Sequence, residues 1–294
     1  MNTEERIRYD RQVRLWGKAT QQQLQQTAVR ICGFTPAVAE VVKNLVLAGV
    51  CSVTVEDEAV LDDNDLKNNF LIQGHAVGER RGRAAVGRLQ SLNPYVAVHL
   101  SSPTGDEGIV RNGALFSVLI VGVQSLGDAV RSICLQRNAG TDLVVLVSSL
   151  GHLTMSIFLS RKLEISYEEQ VLTLLTKNVS SRPVNFQRTL LLMRMSDCPE
   201  ELPFFDRLAF AMEIVVRYNL LQLAREDVEF AASFLPRRHF GTAIEATVAG
   251  GTVAQHIIRE ISCVKEGPGD ESYTWILCDN RNGTDIQVGH TYGL

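Results

Sequence analysis

Residues 31–44 read ICGFTPAVAEVVKN, an apolar strand-like run that turns at Gly33 into an apolar helix-like run. In nucleotide-binding α/β proteins such a turn cradles phosphate, because an open glycine backbone lets N–H groups at the helix N-terminus reach the anion. The usual pattern is G-x-G-x-x-G. Here only its first glycine stands, and Thr35, Pro36 and Val38 occupy the positions where glycines are expected. Pro36 has no N–H to give and fixes φ near −65°, while Val38 brings a branched side chain to where a pyrophosphate would lie. The order of elements invites phosphate chemistry, and the residues that fill the turn refuse it.

Other reactive side chains are scattered. Cys198 lies in MSDCPEEL, where neighbouring carboxylates are expected to raise its pKa and keep it from acting as a nucleophile. Six cysteines stand far apart with no C-x-x-C pair, and six histidines show no ligand spacing. That pattern gives neither a zinc knuckle nor a secreted disulfide scaffold, so a reduced interior and no metal are expected. The net charge of −4 leaves no basic footprint for nucleic acid. No apolar run reaches the ~18 residues of a membrane span, and the charged start MNTEERIRYDRQVRLWG has no signal core. A nuclear or cytoplasmic protein, not a secreted one, is expected.

The elements that must position these residues are legible by periodicity. TAVRICGF (27–34) reads as a strand, Val38, Val41, Val42 and Leu45 recur at helical spacing, and CSVTVED (51–57) is a second strand. Strand, helix and strand within one short stretch make a right-handed βαβ unit and a parallel sheet. A helix over 78–92, a strand at 95–100, a strand at 115–123 apolar on both faces, a helix at 126–138 and a strand at 142–150 continue the alternation. The fold class is α/β, a doubly wound, mostly parallel, Rossmann-like sheet. Ile7, Val13, Leu15 and Leu24 are expected to dock an N-terminal helical arm, residues 1–26.

Beyond 160 the pattern loosens. LTLL and TLLLMRM read as candidate strands, 204–232 as one or two amphipathic helices, and 241–264 as another helix. Its Gly250-Gly251 pair is expected to let a neighbour approach closely. YTWILCDN and DIQVGHTY close the chain as strands. One α/β domain from 27–160 and 236–294, interrupted by an insertion at 161–235, fits this pattern.

The stretch YDRQVRLWG (9–17), with KNLVLAGV (43–50), Asp57, NFLI (69–72), LNP (92–94) and AGGTVAQ (249–255), resembles the adenylation domain of ubiquitin-like-modifier activating enzymes. Bacterial relatives of that family are ThiF-type adenylyltransferases. An active member binds ATP and magnesium, and the modifier's carboxylate attacks the α-phosphate to give an acyl-adenylate. The resemblance implies a glycine-rich loop, a ribose aspartate, a phosphate arginine and lysine, and a metal aspartate. Asp57 matches the ribose aspartate; the loop keeps Gly33 but has Pro36 and Val38; Asn68 stands for the arginine, Arg81 for the lysine and Gln124 for the metal carboxylate. Asn68 brings no charge against a polyanion, and Gln124 is a poor ligand for Mg²⁺. A degenerate site with no cofactor in this chain is therefore expected.

What remains is Arg11. In the family, paired adenylation domains exchange the arginine of this motif, which reaches into the partner's ATP site. The resemblance lies nearest the small, non-catalytic subunit of SUMO-type heterodimers. It implies a larger catalytic partner holding ATP and Mg²⁺, a modifier met through the complex, and Arg11 as the catalytic residue supplied in trans. A neddylation-type regulatory subunit, a self-sufficient homodimeric adenylyltransferase, a nicotinamide-dependent dehydrogenase and a non-catalytic scaffold stay open beside it. So do plainer roles: Arg11 paired with Asp10 or a nearby glutamate, Asp57 bonding the backbone of its own loop, and Arg81 in a salt bridge on a solvated helix face.

Overall fold

The computed structural model describes residues 3–101, 116–123, 125, 127, 141–163, 165–235, 241–262, 274–281 and 285–290. The expected helix at 126–138 lies outside them, apart from single positions, and so does Gln124.

Helix α1 (Thr3–Leu24) precedes β1 (Thr27–Cys32), α2 (Pro36–Ala48), β2 (Ser52–Glu56), the short α3 (Asp63–Asn68), α4 (Arg81–Leu92) and β3 (Ala97–Leu100). Strands β4 (Phe116–Gly122), β5 (Leu143–Leu150) and β6 (Leu153–Ser160) follow. Then come α5 (Tyr167–Thr176), α6 (Val184–Met195), α7 (Phe204–Arg217), α8 (Arg225–Ser233), α9 (Ala243–Ser262), β7 (Trp275–Asp279) and β8 (Asp285–Gly289). Among the described residues the strands form one sheet in the order β3-β2-β1-β4-β5-β6-β7-β8. The first five run parallel, and β6, β7 and β8 add antiparallel pairings at one side.

Alternation along the central strands divides the core. Val118 and Ile120 face a layer built on Val41, Val42 and Leu45 of α2 and Val253 and Ile257 of α9. Leu119 and Val121 face the opposite layer, built on Leu174 of α5 and Phe186 and Leu190 of α6. Strands β4 and β5 are apolar along most of their length because both their faces are covered.

The structure corrects three expectations. TLLLMRM and LTLL lie in helices α6 and α5, not strands; Leu190, Leu191, Leu192, Met193 and Met195 are all buried, so no polar face marks the helical period. Strand β6 was not anticipated, because it returns after the tight Gly151-His152 turn and extends the apolar run of β5. Leu24 docks the arm as expected, but Ile7 and Leu15 do not: both are 74% exposed, whereas Tyr9, Thr20 and Gln21 are buried. Polar side chains do much of the fastening, and an apolar pattern is blind to them.

At Gly250 a Cβ would lie 2.4 Å from the Cβ of Glu40 and 3.0 Å from the nitrogen of Val41. Helix α9 therefore crosses α2 in contact there, as the glycine pair suggests.

Candidate functional site

Strand order reverses direction between β1 and β4, and in open α/β sheets the crevice at the C-terminal ends of such a pair is where ligands bind. Gly33 follows β1 and Gly122 ends β4. Gly33 has φ +80°, and a Cβ there would stand 2.9 Å from the carbonyl oxygen of Gly122. A Cβ on Gly122 would meet the carbonyl of Gly33 at 2.6 Å, Thr35 Cγ2 at 3.0 Å and Val38 Cγ2 at 3.3 Å. Val38 is completely buried. Its branched side chain thus lies beneath the crevice, in the space that Gly122 leaves beside β4, and does not project into the crevice as the sequence suggests. The missing third glycine of the loop is compensated by a glycine on the facing strand.

Several donors around this turn are already engaged. Gly33 N donates to the carbonyl of Glu56 at 3.2 Å, and Phe34 N donates to Asp57 Oδ2 at 2.5 Å. Thr35 caps α2, accepting from Val38 N at 3.4 Å on its hydroxyl and from Ala39 N at 2.8 Å on its carbonyl. Pro36 opens the helix with no donor, the position where its missing N–H costs the fold nothing.

Asp57 is buried and engaged on both oxygens. Besides Phe34 N, it accepts from Ala59 N at 2.8 Å and from Arg81 Nε at 2.8 Å. Arg81 turns its other face to Asp65, with Nη1 to Oδ1 at 3.0 Å. Burial works against the charge of this guanidinium, but Asp57 and Asp65 outweigh it and raise its pKa. Arg81 therefore departs from a solvated helix face: its side chain is only 16% exposed, locked between two carboxylates. Asp65 was missed in the sequence, although Asp62 and Asp65 form a capping box whose spacing is visible there.

Asn68 closes α3 and donates to Asn64 Oδ1 at 2.8 Å, one turn back. Cys198 is buried, and burial raises its thiol pKa while Arg207 opposes the rise; desolvation, not the adjacent carboxylates, is the dominant cause. Among the described residues no group of histidines, cysteines and carboxylates has the arrangement to hold a metal ion.

Arg11 points the other way. It is exposed on α1 and has no hydrogen-bond or ion-pair partner among the described residues. Asp10, its expected partner, pairs with Arg14 at 2.9 Å. Ile7 and Leu15 lie one turn before and after Arg11, so the guanidinium is flanked along the helix by two exposed apolar side chains. Tyr9, two positions before Arg11 in the motif, faces inward. The ring of Tyr9 is buried against Gly49, and its hydroxyl accepts from Asn93 Nδ2 at 2.8 Å. YDRQ, LAGV and LNP, distant in sequence, are thus one contact in space.

A model of the ThiF family matches residues 9–104. The chain is 41% identical over 102 residues to SUMO-activating enzyme subunit 1 of Rattus norvegicus, covering 35% of this chain and 29% of that one. It is 35% identical over 153 residues to the NEDD8-activating enzyme E1 regulatory subunit AXR1 of Arabidopsis thaliana, covering 50% and 28%. With SUMO-activating enzyme subunit 1 of Bos taurus it shares 34% over 152 residues, 52% of this chain and 40% of that one. In each case the chain spans 40% or less of the relative's length. Among solved structures, PaaA superposes with a TM-score of 0.61 at 11% identity, covering all of this chain and 76% of that one. MccB of E. coli gives 0.58 at 11% identity, covering 97% and 71%; both likenesses concern the fold alone. Motif contacts, sheet order and sequence agree: residues 9–104 are a ThiF-family domain, and the chain's homologues are SUMO-activating subunit 1 and NEDD8-activating regulatory subunits.

Proposed function

We propose that this chain is the regulatory, ATP-site-lacking subunit of a heterodimeric ubiquitin-like-modifier activating enzyme, most closely of the SUMO type. The observation that carries this is the state of Asp57. The carboxylate that would hold a ribose is spent on Phe34 N, Ala59 N and Arg81, and in the loop beside it Gly33 N, Phe34 N and Val38 N already have partners. Those residues do not fit a nucleoside triphosphate. ATP and Mg²⁺ are accordingly assigned to a larger partner subunit, which also meets the modifier, and none to this chain.

Arg11 is the group offered in return. It is exposed, unpaired and flanked along the helix by two exposed apolar side chains, Ile7 and Leu15, suited to a protein partner. A guanidinium stays charged and presents a fixed fork of donors to phosphate oxygens, so it can stabilise charge that develops during adenylation. In this assignment residues 1–26 are the arm, 27–160 and 236–294 the pseudo-active adenylation domain, and 161–235 a shortened remnant of the family's cysteine half-domain.

Arg11→Ala in the heterodimer tests the assignment by ATP–pyrophosphate exchange. The expected result is a loss of about a hundredfold with the heterodimer still intact on a sizing column. Unchanged exchange overturns the trans role. The resemblance to AXR1 favours a second reading, a neddylation-type subunit, which the same complex decides by the modifier it adenylates. Micromolar binding of ATP and Mg²⁺ by the isolated chain, measured by calorimetry, would replace both with a self-sufficient adenylyltransferase.

A further inference from the structure

Helix α2 ends under a cluster of side-chain amides. Its terminal carbonyls have no partner within the helix and need one from outside. Backbone N–H groups of Gly49 and Val50 close Leu45, and Gly49 also reaches Val46. Beyond these, Asn93 Nδ2 donates to Val46 O at 2.7 Å, Gln12 Nε2 to Leu47 O at 3.3 Å and Gln21 Nε2 to Ala48 O at 2.9 Å. Three successive carbonyls are met by three amides, two of them carried by α1.

The same cluster grips the arm from its other side. Asn93, completely buried, gives its second amide hydrogen to the Tyr9 hydroxyl, and Arg8 Nη2 donates to Leu92 O at 2.5 Å. Gly49 has φ +87°, and a Cβ there would fall 2.5 Å from the Tyr9 ring, so this ring and this turn fit only because the residue is glycine. Gly17, with φ 85° and ψ 159°, breaks α1 between Gln12 and Gln21. Each half of the arm therefore has its own fastening. Arg11 lies between Tyr9 and Gln12, and the first half cannot turn about its axis without breaking both bonds.

We propose that Tyr9, Gln12 and Asn93 are positioning residues for Arg11: they clamp α1 onto the C-terminus of α2 so that the guanidinium leaves the surface in one direction. The proposal rests on the trans role assigned to Arg11. It also gives the filled loop a purpose. Helix α2 is pinned at its N-terminus by Thr35, with Val38 packed beside Gly122, and at its C-terminus it carries the arm, a strut with no nucleotide to move it.

The test is a double-variant comparison in the intact heterodimer, read by ATP–pyrophosphate exchange. Tyr9→Phe removes one hydroxyl and should lower kcat roughly three- to tenfold with KM for ATP unchanged; Gln12→Ala, at the exposed rim, should act in the same direction. Neither should lower kcat further when combined with Arg11→Ala. An equal loss with and without Arg11, or no loss from either variant, overturns the clamp. Full activity of Arg11→Ala alone overturns the trans role and the clamp with it, so the two failures are told apart by that single variant.

Discussion

Arg81 and Asp57 meet at 2.8 Å across 24 positions of sequence, and the second fork of the same guanidinium holds Asp65 at 3.0 Å. The carboxylate that lies where a ribose would be sought has become part of an internal ion triplet. Removing Arg81 leaves two buried carboxylates without a cation, a change that costs about 3–5 kcal/mol where a buried pair is broken from one side. Arg81→Ala should therefore lower the unfolding free energy by that amount in urea titration. A loss below about 1 kcal/mol would mean that water replaces the guanidinium and that the triplet is no strut.

The loop should resist conversion back to a phosphate cradle. Val38→Gly deletes a fully buried side chain seated beside Gly122, and such truncations cost about 2–4 kcal/mol. Even with Pro36→Gly added, Phe34 N and Asp57 remain bonded to each other. Calorimetry of the double variant with millimolar ATP and Mg²⁺ should show no binding heat. Recovered micromolar affinity would show that the two side chains alone had closed the site.

The parallel half of this fold is plain in the sequence, because β1, β2, β4 and β5 are short apolar runs separated by helical or turn signals. So is the loss of the loop glycines, which is a matter of residue type at fixed spacing. What lay hidden is what depends on pairs. Nothing in Val38 announces Gly122, and nothing in Arg81 announces Asp65; each compensation joins residues whose proximity only the folded chain creates. The arm is only partly legible for a related reason. Apolar spacing points to Leu24, which is buried in the core, but also to Ile7 and Leu15, which are not, while Tyr9, Gln12 and Gln21 bind through hydroxyl and amide groups that carry no hydrophobic signature. Helix α6 failed to show its period because it is covered nearly all round.

Cys32, at the end of β1, should be an unreactive thiol. Burial foremost, and then the charge of Glu56, push its pKa up to about 12. A group whose folded pKa is raised gives stability that is complete below its unfolded value, near 8.5, and is lost as pH climbs toward the folded value. Cys278, raised to about 11 by burial, adds in the same window. Unfolding free energy should fall between pH 8.5 and 11, and Cys32→Ala should flatten that fall. Alkylation of native protein by iodoacetamide at pH 8 should leave Cys32 unmodified. Rapid labelling there would contradict the partly buried, acid-flanked environment.

Two adjacent glycines in α9 should answer to alanine with opposite signs. Gly250 faces α2: its Cβ would stand 2.4 Å from Glu40 Cβ, 3.0 Å from Val41 N and 3.1 Å from the carbonyl of Ala37, so one helix must back away from the other. Overpacking of that kind costs about 1–3 kcal/mol. Gly251 has nothing within 4 Å of the same position. There the methyl group meets no neighbour, and alanine improves the helix by about 0.5–1 kcal/mol through its smaller entropy loss. Urea unfolding of Gly250→Ala and Gly251→Ala should thus move the midpoint down and up respectively. The displacement of α2 in the first variant should also reach its far end, where Gln12, Gln21 and Asn93 close the last carbonyls, and should raise hydrogen exchange in the first half of α1. Equal effects of the two substitutions would mean that α9 and α2 do not cross at Gly250, and the strut on which the arm depends would lose its support.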